Sequence, residues 1–404
     1  LPDSEFFAAR ETDNVAKSNT PFVAVLVDTA TGWGRGLVRG IVNYGRRHGP
    51  WYLWIKSGGQ QSPLRLPPGW RGDGIIATVG RADVARHVAA AHVPVVNTSA
   101  VELPGVDFPR VATDRAATGR VAAEHLLDRG FQHFAYYGAE PRKQFEQQYS
   151  TFAKSVAHVA AECPAQWATV ESGEEPSADW RKRQQSLRGW LKKLPKPVAV
   201  FTSGTELGRE VIHVCRRSGL AVPEQVAVLA GENDGLLCEV CVPSLSGLAL
   251  SSERIGSEAA ATLDRLMQGQ RAAKGPILLA PTGVFARQST DTLAVDEPDL
   301  VRAMAFIRSH ATDPIQVDDV LRELAVSRRW LERRFHELLG RGPGEEIRRV
   351  RLERAKLLLA ETDMPVPEVA VAAGFCSREY FATTLKSQTG LSPRQYRRSV
   401  RPQH

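Results

Sequence analysis

No run in the chain approaches the about 18 consecutive apolar residues that a membrane span requires. The first twenty residues mix polar and charged side chains without an apolar signal core. Residues 1–20 are therefore expected to be a poorly ordered leader, and the protein to be cytoplasmic. Cysteine is scarce and odd in number, five in 404 residues, which speaks against a disulfide framework. Cys238-Glu-Val-Cys241 has the spacing of a redox or metal pair, but no second pair exists. Cys163, Cys215 and Cys376 lie in apolar or turn contexts, so packing is the expected role, with redox or metal chemistry as the alternative. Gly32, Gly34 and Gly36 form Gly-x-Gly-x-Gly, not the Gly-x-Gly-x-x-Gly of a dinucleotide loop, and no acid ends the second strand. No nucleophile–base pair, metal-ligand cluster or phosphate loop is laid out in the sequence, so neither an enzyme nor a cofactor is expected.

What the chain does have is enough length for two to three domains and an ordinary soluble composition, 43% apolar and 24% charged. The net charge of +7 is unevenly spread. From Asp299 onward there are 19 Lys/Arg against 14 Asp/Glu, while the much longer remainder holds 33 against 31. A basic excess at one end fits a polyanionic partner or, equally, a solvated face.

Apolar runs of strand length are read at 22–27, 51–55, 74–77, 94–97, 134–137, 167–170, 198–201, 226–229, 247–250 and 277–280. Helical patterns at 37–47, 83–91, 116–129, 145–162, 179–193 and 255–267 alternate with them, and 28–36 reads as a loop. This alternation predicts parallel α/β sheets in two lobes over 21–290, with a ligand cleft off the strand ends. The acidic, Pro-containing stretch 291–299 reads as a linker to a helical domain over 300–404.

That last part holds one small device twice. In Val366-Pro-Glu-Val-Ala-Val-Ala-Ala-Gly-Phe-Cys-Ser377, a short helix leads to a turn at Gly374 and a cap at Ser377. The next helix buries Phe381 and Leu385 and turns Arg378, Glu379, Ala382, Thr383 and Lys386 outward. Val317-Asp-Asp-Val-Leu-Arg-Glu-Leu-Ala-Val-Ser327 repeats the arrangement, with Leu331, Phe335 and Leu338 inward on its second helix. A helix over 345–361 between the copies presents apolar residues to both sides. Two helix-turn-helix units at this spacing can address successive major-groove turns of a double-stranded DNA operator, about 34 Å apart. The expected base readers are Arg329, Glu332 and Arg333 on the first unit and Arg378, Glu379 and Thr383 on the second, with Arg328 expected as a further DNA contact. Ser327, Ser377 and Lys386 are expected as caps and phosphate contacts.

The pattern Ser327-x3-Leu331-x-Arg333-x-Phe335, Arg351-Leu352-x2-Ala355-x2-Leu358-Leu359, Gly374-Phe375-x-Ser377-x2-Tyr380-Phe381 and Ser392-Pro393-x2-Tyr396-Arg397 closely resembles the AraC/XylS family of transcription regulators. Leu321 and Ala325 stand where that family usually has a small residue and a glycine, and Leu385 replaces a usual Phe. Asp28-Thr29, Gly34-Arg-Gly-Leu-Val-Arg-Gly-Ile41, Gly72-Asp-Gly-Ile-Ile76, Val111-Ala-Thr-Asp114 and Asn233-Asp-Gly-Leu-Leu-Cys-Glu239 resemble the LacI/GalR-type sensor, a periplasmic-binding-protein-like domain. The combination is similar to the xylose-operon activators of the XylR type.

The resemblance implies a homodimeric regulator, an activator of pentose-use genes working with RNA polymerase, in which a small-molecule effector closes the lobes and reorients the DNA-binding domains. Its effector positions fall on Asp28, Trp33, Asp114, Gln148, Thr205 and Glu232. Asp28, Asp114 and Glu232 can bind hydroxyls or simply cap helices. Trp33 is a sugar platform or lobe packing. Gln148 stands where such a sensor carries Arg, and Gly204-Thr205 where it carries Asn-Asp. These exchanges imply weak or no xylose binding, hence another polar effector or ligand-independent regulation, as the alternative to a working pentose site.

Overall fold

A computed structural model describes residues 20–56, 64–140, 145–168, 177–292, 297–362 and 364–400. Residues 1–19 of the expected leader and the centre of the expected linker, 293–296, lie outside the described residues.

The first lobe is built from β1 (Phe22–Leu26), α1 (Gly32–His48), β2 (Tyr52–Ile55), β3 (Gly74–Ala77), α2 (Ala82–Ala89), β4 (Val95–Asn97) and β5 (Val111–Thr113). Its parallel sheet runs β2-β1-β3-β4, and a bridge from Asn97 to Arg110 leads on to β5. The second lobe follows as α3 (Arg115–Leu127), β6 (Phe134–Ala139), α4 (Glu146–Val156), β7 (Ala165–Ala168), α5 (Ser177–Lys193), β8 (Val198–Thr202), α6 (Thr205–Arg217), β9 (Val226–Ala230), α7 (Gly235–Glu239) and β10 (Ser246–Ala249). The chain then returns. α8 (Ser252–Met267) packs on α1, β11 (Ile277–Leu279) pairs with β5, and β12 (Gly283–Phe285) closes the second sheet antiparallel to β10. The order of that sheet is β12-β10-β9-β8-β6-β7. The sequence reading placed the elements in two successive sets; the fold interleaves them.

Continuous apolar strands are explained by helices on both faces. In the second sheet Val198, Val200, Val226 and Val228 join one buried cluster, while Ala199, Phe201, Ala227 and Leu229 join the other. Three segments cross between the lobes and are stitched together. Asp114 N donates to Leu279 O at 2.9 Å, Thr282 N to Ala249 O at 2.8 Å, and Ser251 Oγ to Ala280 O at 2.7 Å.

One local expectation is corrected. Residues 32–36 are the first turns of α1, not a loop, and Thr31 caps them. A Cβ on Gly40 would lie 2.0 Å from Glu253 O, and one on Gly256 2.0 Å from Leu37 O. The glycines thus bring α1 and α8 into backbone contact, a demand that outweighs their poor helix propensity. Strand β7 also begins earlier than expected, at Ala165, and β5 and β12 were not anticipated.

The C-terminal part is all helical: α9 (Pro298–His310), α10 (Val317–Leu324), α11 (Arg328–Leu339), α12 (Pro343–Glu361), α13 (Val366–Ala372), α14 (Arg378–Thr389) and α15 (Pro393–Val400). α9 begins at Pro298, inside the stretch read as a linker; proline is tolerated in a first helical turn. α12 divides its apolar residues between two cores. Ile347 and Val350 join Leu331 and Phe335, while Leu352, Ala355 and Leu359 join Phe381 and Leu385. One helix of about 28 Å therefore separates the two units.

Candidate functional site

In a two-lobed fold of parallel sheets the ligand site belongs off the carboxyl ends of the strands, here β1 in the first lobe and β6, β8 and β9 in the second. Asp28 follows β1 and accepts from Ala30 N at 2.9 Å. Partial burial raises its carboxyl above the ordinary value, against the lowering effects of the Ala30 bond and Arg35. Glu232 follows β9. Burial pushes it up to about 7, with Arg115 opposing and Asp234, Glu206 and Asp28 adding repulsion. Carboxylates from both lobes thus share one field.

Gln148 on α4 is fully buried. Its Oε1 accepts from Tyr136 OH at 3.3 Å, and its Nε2 has no partner among the described residues. Arg115, the first residue of α3, was missed by the sequence reading. Its guanidinium stacks over the Phe145 ring, 4.8 Å from the centroid, and feels the charges of Tyr136 and Glu232. Burial lowers its pKa, and its buried Nε is also unpartnered. Two buried donors thus stand beside a cluster of acceptors. A buried unsatisfied donor costs about 1–3 kcal/mol, which a polyhydroxylated ligand would recover.

The other expected positions have structural duties. Asp114 caps α3, accepting from Ala117 N at 2.8 Å, and lies 3.8 Å from Arg120. Thr205 is buried; its hydroxyl donates to Glu232 O at 3.0 Å and is 3.4 Å from Asp234 N, so it shapes the β9–α7 loop. Trp33 packs on the first-lobe core. Asp234 caps α7 and reaches across to Arg35 of α1 at 2.8 Å, so the lobes already touch at the cleft edge. Cys238 is a core residue whose thiol burial pushes up to about 11, and Cys241 Sγ donates to Leu237 O at 3.3 Å. That is packing. Among the described residues no group of three His, Cys, Asp or Glu is placed to hold a metal.

In the helical part, Ser327 accepts from Trp330 N at 3.2 Å and Ser377 from Tyr380 N at 3.1 Å, capping α11 and α14. Leu331 and Phe335, and likewise Phe381 and Leu385, are buried against the rest of each unit. Arg328, Arg329, Glu332 and Arg333 are exposed on α11; Arg378, Glu379, Thr383 and Lys386 are exposed on α14. Two crossed helices with a polar outer face on the second are the geometry that enters a major groove.

A two-lobed ligand cleft joined to paired helix-turn-helix units defines a ligand-responsive DNA-binding transcription regulator. The comparisons agree along the chain. A family described as periplasmic binding protein-like domain matches residues 123–290, and a helix-turn-helix domain matches residues 320–399. The xylose operon regulatory protein of Haemophilus influenzae is 31% identical over 277 residues, 68% of this chain and 71% of that protein. Its counterpart in Escherichia coli strain K12 is 29% identical over 273 residues, 68% of this chain and 69% of that one. The solved structure of a xylose-binding transcription activator, xylR, covers 94% of this chain and 98% of its own, with 27% identity and a TM-score of 0.61. The chain belongs to the family of the xylose operon regulatory proteins. Among the described residues no helix is long and apolar enough to cross a membrane.

Proposed function

We propose that the protein is a cytoplasmic, homodimeric activator of pentose-use genes whose effector is a sugar of xylose size. The observation that carries the effector is the pair of unpartnered buried donors, Arg115 Nε and Gln148 Nε2, set beside Glu232 and Asp28. Carboxylates and a guanidinium bind adjacent hydroxyls directionally, and do so best when closure excludes water. The relatives' names, xylose operon regulatory protein and xylose-binding activator, point to the same ligand class. The 21–290 region would be the sensor and 300–404 the DNA-binding domain, recruiting RNA polymerase to an operator read by four helices of a dimer. Leu236, Val240 and Val242 form an exposed apolar patch on the second lobe, which a second copy would cover.

Arg115 tempers the expectation of a failed xylose site, because the second lobe keeps one guanidinium. Gln148 in place of Arg still exchanges a charged hydrogen bond for a neutral one, a loss of about 1 kcal/mol or roughly fivefold in affinity. Calorimetry of the full chain with D-xylose tests the reading. Binding that is lost in Arg115→Ala supports it. Heat with another small polyol but none with xylose favours the changed-effector reading, and no heat with any sugar removes the sensor role.

A further inference from the structure

The two ends of α3 lie in different places. Its first residue, Arg115, stacks over Phe145 and feels the charge of Glu232 in the loop after β9, and just beyond its last turn Arg129 is buried within the field of Arg308 and Arg349 of the DNA-binding helices. The two are separated by about 20 Å of helix. Arg129 Nε donates to Thr290 O at 2.9 Å, and its Nη1 reaches His125 O at 2.8 Å and His125 Nδ1 at 3.1 Å. Because arginine only donates, His125 Nδ1 accepts and its Nε2 carries the proton toward Thr290 Oγ1, 3.0 Å away. Thr290 Oγ1 is 2.7 Å from Ser246 Oγ, which donates to Arg287 O at 3.0 Å. Arg287 Nη1 donates in turn to Asn233 Oδ1 at 2.7 Å, and Asn233 follows Glu232 in the cleft loop. A second path from the cleft therefore converges on Thr290.

Thr290 is held by the sensor, and the next residue is held by the other side. Asp291 Oδ1 is 2.7 Å from Arg308 Nε on α9, and Arg308 Nη1 also donates to Asp291 O. Burial, with Arg129 and Arg349 nearby, holds His125 well below the ordinary histidine range, which keeps it the neutral acceptor this chain of bonds requires. The junction is thus a polar cluster with directional bonds, not an unanchored tether.

We propose that His125, Arg129, Thr290, Asp291 and Arg308 form a latch that passes the state of the cleft to the DNA-binding helices. The proposal rests on the effector-responsive reading above. Ligand that draws Arg115 and the Glu232 loop together moves both paths that end on Thr290. Arg308 then carries that movement into α9, whose Leu300, Ala303 and Ile307 belong to the core of the first helix-turn-helix unit.

The test uses the full chain, D-xylose or whichever sugar gives heat in calorimetry, and a duplex selected by the protein from a randomised library. The readout is the ratio of DNA affinities with and without sugar, about 5- to 150-fold for ordinary coupling. Arg308→Gln removes the ion pair, and Thr290→Val removes the hydroxyl link without touching the backbone. Both should bring the ratio below about twofold while sugar affinity stays within about threefold. A role confined to folding would lower the melting temperature and leave the ratio intact, which would overturn the latch. If Arg308→Gln does not fold, Thr290→Val decides alone. A wild-type ratio of one with a bound sugar overturns the regulatory reading itself, whereas a wild-type ratio preserved in Thr290→Val overturns only the latch.

Discussion

The two helix-turn-helix units are built on one plan and differ at two places, the turn and the charge around the reading helix. In the second unit the turn residue is Gly374 at φ 82°, with Ala311 O directly behind it. In the first it is Ala325, held at φ 55° with its N–H donating to Leu321 O at 3.0 Å. Around α11, Arg328 is paired with Asp318 and Glu332, Arg333 lies 3.8 Å from Glu337, and Arg334 bonds Glu297 and Glu337. On α14 the corresponding pairing among the described residues is a single contact, Arg378 to Glu379 at 3.8 Å. The same fold thus carries a strained, internally neutralised reader and an unstrained one whose polar groups are freer to meet DNA.

The largest test of this contrast is Gly374→Ala. A Cβ there would lie 2.2 Å from Ala311 O and 2.9 Å from Thr312 Cα, both backbone atoms, and the positive φ adds its own penalty. The expected cost is about 2–4 kcal/mol, combining left-handed strain with overpacking. Denaturant unfolding of the full chain measures it; a change below about 0.5 kcal/mol would mean that the close approach is relaxed in solution.

Base reading comes next in size. Arg333→Ala and Arg378→Ala should each relax preference at one base step by about 1–3 kcal/mol, while Lys386→Ala should weaken all sequences alike. Selection from a randomised site library separates these outcomes. Uniform weakening by all three substitutions would refute the assignment of roles.

These units were legible because everything that defines them is local. Ser327 and Ser377 as caps, the glycine turn of the second unit, and the spacing of Leu331, Phe335, Phe381 and Leu385 are all set within a few residues. The strands were legible for the same reason. What escaped was set from afar. The glycine-rich start of α1 looks like a loop until α8, more than 200 residues later, is laid against it. Nothing near 252–279 announces a return to the first lobe. In the cleft, attention to acids at strand ends singled out Asp28 and Glu232, whose fields overlap in the structure, but passed over Arg115 beside them, whose only signal was a cation directly after Asp114 at a helix start. Thr205 could not be read as a loop anchor because its partners, Glu232 O and Asp234 N, come from the next strand's loop.

The charge contrast gives a smaller prediction. Asp318→Asn should release Arg328 toward phosphate or base, tightening DNA binding by about two- to fivefold and steepening its salt dependence. Glu379→Gln on the second unit should change affinity less, because Arg378 is only loosely paired. Filter binding across a salt series compares them, and equal gains from both would erase the distinction between the readers.

The smallest effect concerns Ala325. A left-handed alanine costs about 1–2 kcal/mol relative to its right-handed state, whereas glycine at the same φ costs almost nothing. Glycine is also freer in the unfolded chain, which takes back roughly 0.5–1 kcal/mol. Ala325 is exposed, so its methyl contributes little packing, and the Leu321 bond survives in either residue. Ala325→Gly should therefore stabilise the chain, by about 0.5 kcal/mol, where Gly374→Ala destabilises it severalfold more. Parallel denaturant curves give the sign. A destabilised Ala325→Gly would show that unfolded-state entropy outweighs the strain, and that the first turn adopts its conformation without appreciable cost.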